Sequence, residues 1–324
     1  MNILITGAFG FFGLNLVRIL ATHDGVTVIA TDVRQPTVEQ ERFLQPVAAS
    51  VHFCSLDIQD RLAIRTLIEQ WQISHIVHAA ALTPTLEQET QQTTRIVDIN
   101  LGGTVNILDA AIQSEMIQRL ILASSSGVYG ASSGAGGETQ REEGPFQLDN
   151  LYSITKYSAE LLMQRYSQLS GKSMVAVRLP PLYGPLERPS ASRLRVSAVG
   201  QLMQALHNGK AIRVAGPTVS RDWTYMVDGA MALWALLQTP QLSHSIYNVS
   251  CGVAVTWQEV VNSFITQGLS AAWVDDPADA DVAMRPEQAR LPMNIARLRQ
   301  DTGFTPRYLL AAGIGELCRR MENR

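Results

Sequence analysis

The sequence predicts an α/β protein whose core is a doubly wound parallel sheet, followed by a smaller C-terminal part. β-rich runs alternate with helical patterns through the first half of the 324-residue chain, and this alternation is typical of parallel sheets. The predicted helices of the first half lie at 61–70, 94–113 and 151–170, and the less regular second half has helices at 199–208, 257–267 and 309–321. The predicted strands lie at residues 2–6, 26–30, 51–56, 75–81, 119–123 and 175–179.

A glycine-rich turn joins the first predicted strand to a helix. Gly7, Gly10 and Gly13 follow the apolar run at residues 3–5, and leucines at helical spacing come next. Strand, glycine turn and helix in this order predict a dinucleotide site. Gly7 suits a tight turn, Gly10 leaves room for a pyrophosphate, and Gly13 allows helix and strand to pack closely. An ordinary glycine turn is the alternative, because the first gap is one residue longer than in the commonest fingerprint.

An acidic residue ends the second predicted strand. Asp32 lies 19 residues after Gly13 (32 − 13 = 19), where a carboxylate accepts hydrogen bonds from the adenosine ribose. The same charge would repel the additional phosphate of NADP, so NAD is the predicted cofactor. Arg34 leaves an alternative open, since an arginine here could accommodate that phosphate or remain a solvated loop charge.

The ends of the next two strands supply further cofactor candidates. Asp57 precedes Ile58 at the end of the third strand, where it could face the adenine or cap the following helix. Ala79, Ala80 and Ala81 end the fourth strand. Such small side chains let a flat cofactor lie against the backbone at the carboxyl edge of the sheet.

The composition argues against several classes of function. The formal net charge is −3, so the sequence lacks the excess of positive charge with which proteins bind nucleic acid or an anionic membrane. No apolar run approaches the roughly 18 residues of a membrane span, and the first strand lacks the basic leader of a signal peptide. Cys54, Cys251 and Cys318 are widely separated, which predicts reduced thiols and no metal site. We therefore expect a soluble, cytoplasmic protein.

A tyrosine and a lysine four residues apart carry the predicted chemistry. Tyr152 and Lys156 lie on one face of a predicted helix, one turn from each other. The ammonium favours the phenolate, so Lys156 is expected to lower the pKa of the tyrosine from about 10 toward the working range. Tyr152 could then exchange a proton with a substrate hydroxyl while a nicotinamide exchanges the hydride. Alone, this spacing more often marks a solvated helix face.

Together these motifs resemble the extended short-chain dehydrogenase/reductase family, which contains NAD-dependent sugar epimerases and dehydratases. The resemblance covers nearly the whole chain. It rests on the glycine loop, on Asp32 and on four further segments: Ser124 to Gly130, Tyr152 with Lys156, Arg178 with Tyr183 to Pro185, and Arg221 to Tyr225.

The resemblance implies a Rossmann sheet with a smaller C-terminal substrate-binding domain. Residues 1–178 would form the NAD-binding domain, to which residues 218–250 return. Residues 179–217 and 251–324 would form the substrate-binding part. The two long helices of the first domain would pair across a two-fold axis in a homodimer.

The resemblance also implies the site residues. Ser125, Tyr152 and Lys156 would be catalytic. The NAD contacts would be Gly7, Phe9, Gly10, Phe11, Phe12, Gly13, Asp32, Arg34, Asp57, Ile58, Ala79, Ala80, Ala81, Asn100, Ser124, Tyr152, Lys156, Leu179 and Pro180. The substrate contacts would be Thr83, Ser125, Ser126, Pro181, Arg188, Arg221 and Arg285.

Two departures from the family pattern bear on the substrate. Dehydratases of the family carry an acidic pair after the catalytic hydroxyl and decarboxylases carry a glutamate, but Ser126 and Gly127 stand there. This speaks against elimination and decarboxylation. Prolines at 180–181 replace the usual phosphate-binding asparagine. Residues 183–189 are similar to the corresponding segment of uronate-type sugar-nucleotide epimerases, whereas residues 82–92 are not. The sequence therefore leaves the identity of the substrate open.

Three functions are compatible with these motifs. The leading prediction is an epimerase of a nucleotide-linked sugar that uses tightly held NAD. The second is a net NAD-dependent dehydrogenase of a sugar, sugar acid or related alcohol. The third is a non-catalytic NAD-binding protein, which the catalytic residues disfavour. Arg221 is the expected diphosphate ligand unless it pairs with a carboxylate, and the weaker candidates are Arg188, Arg193, Arg195 and Arg285.

Overall fold

The computed structural model describes residues 1–134, 138–190 and 192–322. In this part of the chain the strands are β1 (Asn2–Thr6), β2 (Thr27–Asp32), β3 (Val51–Ser55), β4 (His75–His78), β5 (Arg119–Ser125), β6 (Ser173–Leu179), β7 (Leu182–Tyr183), β8 (Ile212–Ala215), β9 (Ser220–Asp222), β10 (Thr224–Tyr225), β11 (Ile246–Asn248), β12 (Ala254–Thr256), β13 (Ala271–Trp273) and β14 (Val282–Ala283). The helices are α1 (Phe11–Leu20), α2 (Val38–Leu44), α3 (Arg61–Gln70), α4 (Leu86–Gln91), α5 (Thr93–Val97), α6 (Gly103–Gln113), α7 (Leu151–Ser170), α8 (Ala198–His207), α9 (Met226–Gln238), α10 (Trp257–Ile265), α11 (Ala296–Thr302) and α12 (Leu310–Glu322). None of these helices is long and apolar enough to cross a membrane.

Seven strands form one parallel sheet with the order β11-β6-β5-β4-β1-β2-β3. The chain winds from β1 to β3 at one edge, then returns to wind from β4 to β11 at the other. All six predicted strands are present and pair in parallel, which confirms the doubly wound α/β prediction. Ligands bind such sheets at the carboxyl ends of the strands, where the winding reverses. Here that point lies between β1 and β4.

Alternating side chains along the strands face two helical layers. In β1, Ile3 and Ile5 belong to a core with α1 and α9, while Leu4 belongs to the opposite core with α3, α6 and α7. All three side chains are fully buried. Burial on both faces is what a sheet covered by helices on both sides requires.

The predicted helix at 94–113 contains a wider turn in its middle. α5 and α6 are joined by a π-helical turn, Asp98–Gly102. Directly after it, Gly103 lies against Ile58, whose side chain would be 2.4 Å from a Cβ atom at this position. Turns of this kind are frequent at functional sites, and this one carries Asn100.

The C-terminal part has a core of its own. The residues of α8, α10 and α12 form this core with the short sheet β13-β8-β14, and Trp257, Phe264 and Ile314 are fully buried. α10 begins at a capping box, in which the Thr256 side chain accepts from the Glu259 amide and the Glu259 carboxylate accepts from the Thr256 amide. The domain boundaries stay a prediction.

We predict that Gly13→Ala destabilises the fold, because this position leaves no room for a Cβ atom. An ideal Cβ there would lie 2.2 Å from the Gly7 carbonyl oxygen and 2.8 Å from the Ala8 Cα atom. The free energy of unfolding, measured by urea denaturation, should fall by about 1–3 kcal/mol.

Gly315→Ala in α12 is the control for this substitution. A Cβ atom at Gly315 meets nothing within 4 Å, and alanine is favoured over glycine in a helix by roughly 1 kcal/mol. The control should therefore be at least as stable as wild type. If Gly13→Ala were as stable as the control, the close packing of α1 on β1 would not matter to the fold.

Candidate active site

A cleft of about 1240 Å³ opens at the carboxyl edge of the sheet. It lies between the glycine loop and the ends of β4 and β5 on one side and the C-terminal part on the other. Six predicted site residues lie outside its lining: Asp32, Asp57, Ile58, Ala80, Asn100 and Arg285. The predicted residues that line it are Gly7, Phe9, Gly10, Phe11, Phe12, Gly13, Arg34, Ala79, Ala81, Thr83, Ser124, Ser125, Ser126, Tyr152, Lys156, Leu179, Pro180, Pro181, Arg188 and Arg221.

The glycine loop has the backbone geometry that its motif requires. Gly7 has a φ of +66°, which favours glycine, and a Cβ atom there would lie 2.7 Å from the Ala80 Cα atom. The Gly10 amide donates to the Gly7 carbonyl at 3.1 Å. Within the described residues no side chain caps α1, so its first-turn amides lack a side-chain acceptor. Helix N-termini of this kind bind phosphates.

Asp32 ends β2 behind this loop. It is 9% exposed, and its carboxylate accepts from the Phe9 amide at 3.3 Å and from the Arg34 amide at 3.2 Å. The Arg34 side chain, which is 41% exposed, forms an ion pair with Asp32 at 3.4 Å. Because Asp32 offsets its charge, Arg34 attracts an additional phosphate less strongly than an unpaired arginine would.

Asp57 and Ile58 lie away from the cleft. Asp57 is exposed and Ile58 is buried in the core. The alternative in which Asp57 caps α3 is wrong, because Asp60 is the cap. Its carboxylate accepts from the Leu62 and Ala63 amides, each at 3.0 Å.

Ala80 and Asn100 lie outside the cleft lining and stabilise the loop that follows β4. Asn100 is 3% exposed. Its side chain accepts from the Leu82 amide at 2.7 Å and donates to the Leu82 carbonyl at 3.0 Å. The Ala80 amide donates to the Thr6 hydroxyl at 3.2 Å. These contacts fix the backbone that leads to Thr83 in the cleft.

Tyr152 lies in the first turn of α7, where it meets two neighbouring elements. Asn150 and Ser153 cap this helix reciprocally. The Tyr152 side chain is hydrogen-bonded to Ser125 at the end of β5 and to Thr83 in the loop after β4. The phenol and two hydroxyls therefore form one hydrogen-bonded group in the cleft.

Lys156 lies one turn further along α7 and is 5% exposed. Its Nζ atom donates to the Ala123 carbonyl at 2.7 Å and lies 5.8 Å from the centre of the Tyr152 ring. Burial lowers the pKa of Lys156 to about 8, although the charge of Glu160 opposes this effect. The amine is therefore mostly protonated at neutral pH and loses its proton as the pH rises through that value.

The prediction that Lys156 lowers the pKa of Tyr152 is wrong. Burial raises the pKa of Tyr152; the hydrogen bond with Ser125, the charge of Arg193 and the hydrogen bond with Thr83 oppose this rise without cancelling it.

A buried polar network holds α7 against the sheet. Glu160 and Arg178, which are 1% and 2% exposed, form an ion pair at 2.7 Å. Glu160 also accepts from the Ser124 hydroxyl. Arg178 donates to the Tyr129 hydroxyl at 3.0 Å, and Tyr129 donates to Asn248 of β11 at 2.6 Å. Although burial alone would lower it, the pKa of Arg178 is raised by its hydrogen bond and ion pair with Glu160.

Two arginines lie on the far wall of the cleft. Arg221, in β9, takes part in none of the ion pairs of the described residues, so the alternative in which it pairs with a carboxylate is not found there. Its Nε atom is buried without a hydrogen-bond partner. Burial and the charge of Arg290 lower the pKa of Arg221 to about 10. Arg290 lines the same cleft and was not predicted from the sequence, where nothing distinguishes it from its neighbouring arginines.

The remaining arginine candidates differ in their surroundings. Arg188 pairs with Glu39 at 3.0 Å, and both side chains are about half exposed. Arg193 pairs with the buried Glu187, also at 3.0 Å. Arg195 and Arg285 are also exposed; Arg195 lines the cleft and Arg285 does not.

The family model described as "NAD dependent epimerase/dehydratase family" matches residues 3–250. The chain belongs to this family. The resemblance drawn from the sequence motifs is thereby confirmed, and so is NAD as the cofactor.

Relatives of this epimerase/dehydratase chain include two sugar-nucleotide enzymes. The UDP-glucuronate 4-epimerase of Thermodesulfobacterium geofontis is 29% identical over 255 residues, which cover 77% of this chain and 75% of that protein. The probable UDP-glucuronate 4-epimerase of Rhizobium meliloti is 30% identical over 247 residues, covering 74% and 69%.

Solved structures resemble the whole chain. MoeE5 in complex with UDP-glucose and NAD has a TM-score of 0.78 and 26% identity, covering 100% of this chain and 99% of that one. UDP-glucose 4-epimerase from Thermotoga maritima has a TM-score of 0.80 with the same coverage. Because the second structure is only 18% identical to this chain, the likeness shows that the two share a fold and nothing more.

The residues of this family member fit NAD. A Cβ atom at Gly10 would meet only the Gly7 carbonyl oxygen within 4 Å, at 3.3 Å. The backbone of the loop is therefore open to a pyrophosphate, next to the uncapped amides of α1. Tyr152 and Lys156 line the same cleft.

Proposed function

We propose that the protein is an NAD-dependent epimerase of a nucleotide-linked sugar. The observation that carries the proposal is Arg221, a partly buried cation with no carboxylate partner in the described residues, beside Arg290 in the same cleft as Tyr152. Two adjacent cations suit a diphosphate, which arginine binds through charge-assisted hydrogen bonds. The names of the UDP-sugar relatives point to the same class of substrate.

Tyr152 and Ser125 are proposed to handle the proton of the sugar hydroxyl. When bound, NAD exchanges a hydride with the sugar and brings a positively charged nicotinamide ring to the cleft. Tyr152 takes the hydroxyl proton in its phenolate form, as a general base, and later returns that proton from the phenol form. Ser125, hydrogen-bonded to the same phenol, orients the hydroxyl. The Lys156 ammonium is proposed to hold the nicotinamide ribose.

The residues after Ser125 favour epimerisation over elimination. Ser126 lines the cleft beside the proposed catalytic residues. Neither Ser126 nor Gly127 carries an acid or a base that could remove a carbon-bound proton. The proposed reaction therefore needs only the proton exchange at Tyr152 and the hydride exchange that NAD supplies.

We predict that Tyr152→Phe abolishes turnover while NAD affinity stays within a few fold of wild type. Wild type should interconvert UDP-glucose or UDP-glucuronate with its 4-epimer, and chromatography measures the two sugars. The absorbance of NADH should not accumulate during this reaction. Removal of the phenolic hydroxyl should lower the rate by about 10² to 10⁴. Tyr166→Phe is the control: it makes the same change on the same helix, at a hydroxyl that donates to Asp109 at 2.8 Å.

Two results would count against this assignment. Retention of more than about a tenth of the activity by Tyr152→Phe would exclude the tyrosine as the acid–base group. Stoichiometric release of NADH by wild type would instead identify a net dehydrogenase.

We predict that Arg221→Ala weakens the binding of UDP, measured by calorimetry, by about tenfold or more. Each charge-assisted hydrogen bond lost is worth roughly 1.5–3 kcal/mol. NAD affinity should not change, because Arg221 lies on the opposite wall from the glycine loop. Arg285→Ala, an exposed arginine outside the cleft lining, should bind UDP like wild type. If wild type binds neither UDP nor another nucleoside diphosphate, the substrate is not a nucleotide-sugar.

We also propose that the protein forms a homodimer in the cytoplasm. Ile154 and Leu161 lie seven residues apart on α7 and are 43% and 50% exposed. This helix therefore has exposed apolar surface that can pack against a second copy of the chain. Light scattering should give twice the chain mass for wild type and the chain mass for Leu161→Glu. Leu62→Glu, at a position 74% exposed on α3, should remain dimeric. A monomeric wild type would refute the proposal.

A further inference from the structure

A buried carboxyl group follows Arg221 in β9. Asp222 is 2% exposed. Its oxygens accept from the Met293 amide at 3.1 Å, from the Cys251 thiol at 3.1 Å and from the Thr224 hydroxyl at 3.2 Å. It takes part in none of the ion pairs of the described residues. A buried carboxyl group is costly unless its oxygens are hydrogen-bonded, so these donors hold Asp222 in place without a cation.

The bond with Met293 fixes the segment of the chain that carries Arg290. The Arg290 amide donates to the Ser220 carbonyl at 2.9 Å. This segment is therefore hydrogen-bonded to β9 on both sides of Arg221, at Ser220 and at Asp222. The side chains of the two arginines line the same cleft.

The Arg290 guanidinium is held by its own loop. Its Nη1 atom donates to the Glu287 and Ala289 carbonyls, each at 2.7 Å. In the part of the chain that the structure describes, no other hydrogen bond of this guanidinium is found, so its Nε and Nη2 atoms remain for a ligand. Because the guanidinium is tied to its own backbone, it stays beside Arg221 only while that backbone stays on β9.

We propose that Asp222 is a positioning residue for the substrate diphosphate, because it holds the backbone that keeps Arg290 beside Arg221. The inference rests on the proposed function, in which these two arginines bind the diphosphate. Two adjacent cations repel each other, and the bond between Asp222 and Met293 opposes their separation. A carboxylate placed directly on either guanidinium would compete with the phosphates, whereas Asp222 acts through the backbone and occupies neither.

The affinity for UDP, measured by calorimetry on NAD-saturated protein, tests this role. The variants are Asp222→Ala, Asp222→Asn and the control Asp228→Ala. Asp228 is also buried, at 1% exposure, and accepts from the Arg307 and Tyr308 amides at 3.0 and 2.8 Å. These three residues lie outside the cleft lining. The control therefore removes a buried carboxyl group that holds backbone elsewhere.

Asp222→Ala should weaken UDP binding by about tenfold, the loss expected when one charge-assisted hydrogen bond to a phosphate no longer forms. NAD affinity should not change. Asp222→Asn should recover most of the UDP affinity, because its carboxamide oxygen can accept from the Met293 amide while its NH₂ group donates to the Thr224 hydroxyl. Asp228→Ala should bind UDP like wild type, although it too destabilises the fold.

A double-mutant cycle with Arg290→Ala tests whether Asp222 acts through Arg290. In the Arg290→Ala background, Asp222→Ala should weaken UDP binding by less than about twofold, since residues that act as a unit are not additive. A full additional loss in that background would overturn the proposal. So would wild-type UDP affinity in Asp222→Ala, or an equal loss in Asp228→Ala.

Two further arms keep the result interpretable. If Asp222→Ala does not fold, Asp222→Ser is measured with the same expectations, because its hydroxyl is too short to hold the Met293 amide. A wild type that binds UDP no better than Asp222→Ala refutes this inference alone. A wild type that binds no nucleoside diphosphate refutes the proposed function and the inference with it.

Discussion

The buried ion pair between Glu160 and Arg178 holds the proposed active site together. Removing two charges from water is costly, and such a pair persists when further hydrogen bonds satisfy both partners. Arg178 reaches Glu160 at 2.7 Å, the Glu142 carbonyl at 2.8 Å and the Tyr129 hydroxyl at 3.0 Å. Loss of one partner would leave the other charge buried and unpaired, which typically costs about 3–5 kcal/mol.

The same ion pair fixes the position of α7, which carries Tyr152, relative to β5, which carries Ser125. Glu160 lies one turn after Lys156 and two turns after Tyr152 on α7, and it accepts from the hydroxyl of Ser124, the residue before Ser125. A shift of α7 by one turn would break the ion pair and separate Tyr152 from Ser125 at once. Folding stability and the geometry of the proposed chemistry therefore depend on one contact, which lies behind the cleft and does not need a ligand to form.

Local features of the fold were predictable from the sequence, whereas features that depend on tertiary packing were not. The sheet strands show their burial as apolar runs, and the capping box at Thr256 needs only residues within one turn. Asp57 and Asp60 are both acidic and close in sequence, so only the observed start of α3 identifies Asp60 as the cap. The pKa of Tyr152 depends on burial and on groups from distant segments. Arg290 meets Arg221 only after the C-terminal part has folded.

The two sides of the cleft differ in their positive charge, and this difference would direct the two phosphate-bearing ligands, the dinucleotide and the proposed nucleotide-sugar, to opposite walls. On the glycine-loop side, Arg34 is paired with Asp32, so phosphate binding there relies on backbone amides and on the space that glycine leaves. On the far wall, Arg221 keeps an Nε atom without a partner, and its pKa is lowered by burial and by Arg290. A buried polar group without a partner is costly. The proposed diphosphate would supply the missing acceptors and relieve the repulsion between the two arginines. A dinucleotide at the glycine loop relieves neither, so the far wall would still need the diphosphate of the proposed nucleotide-sugar.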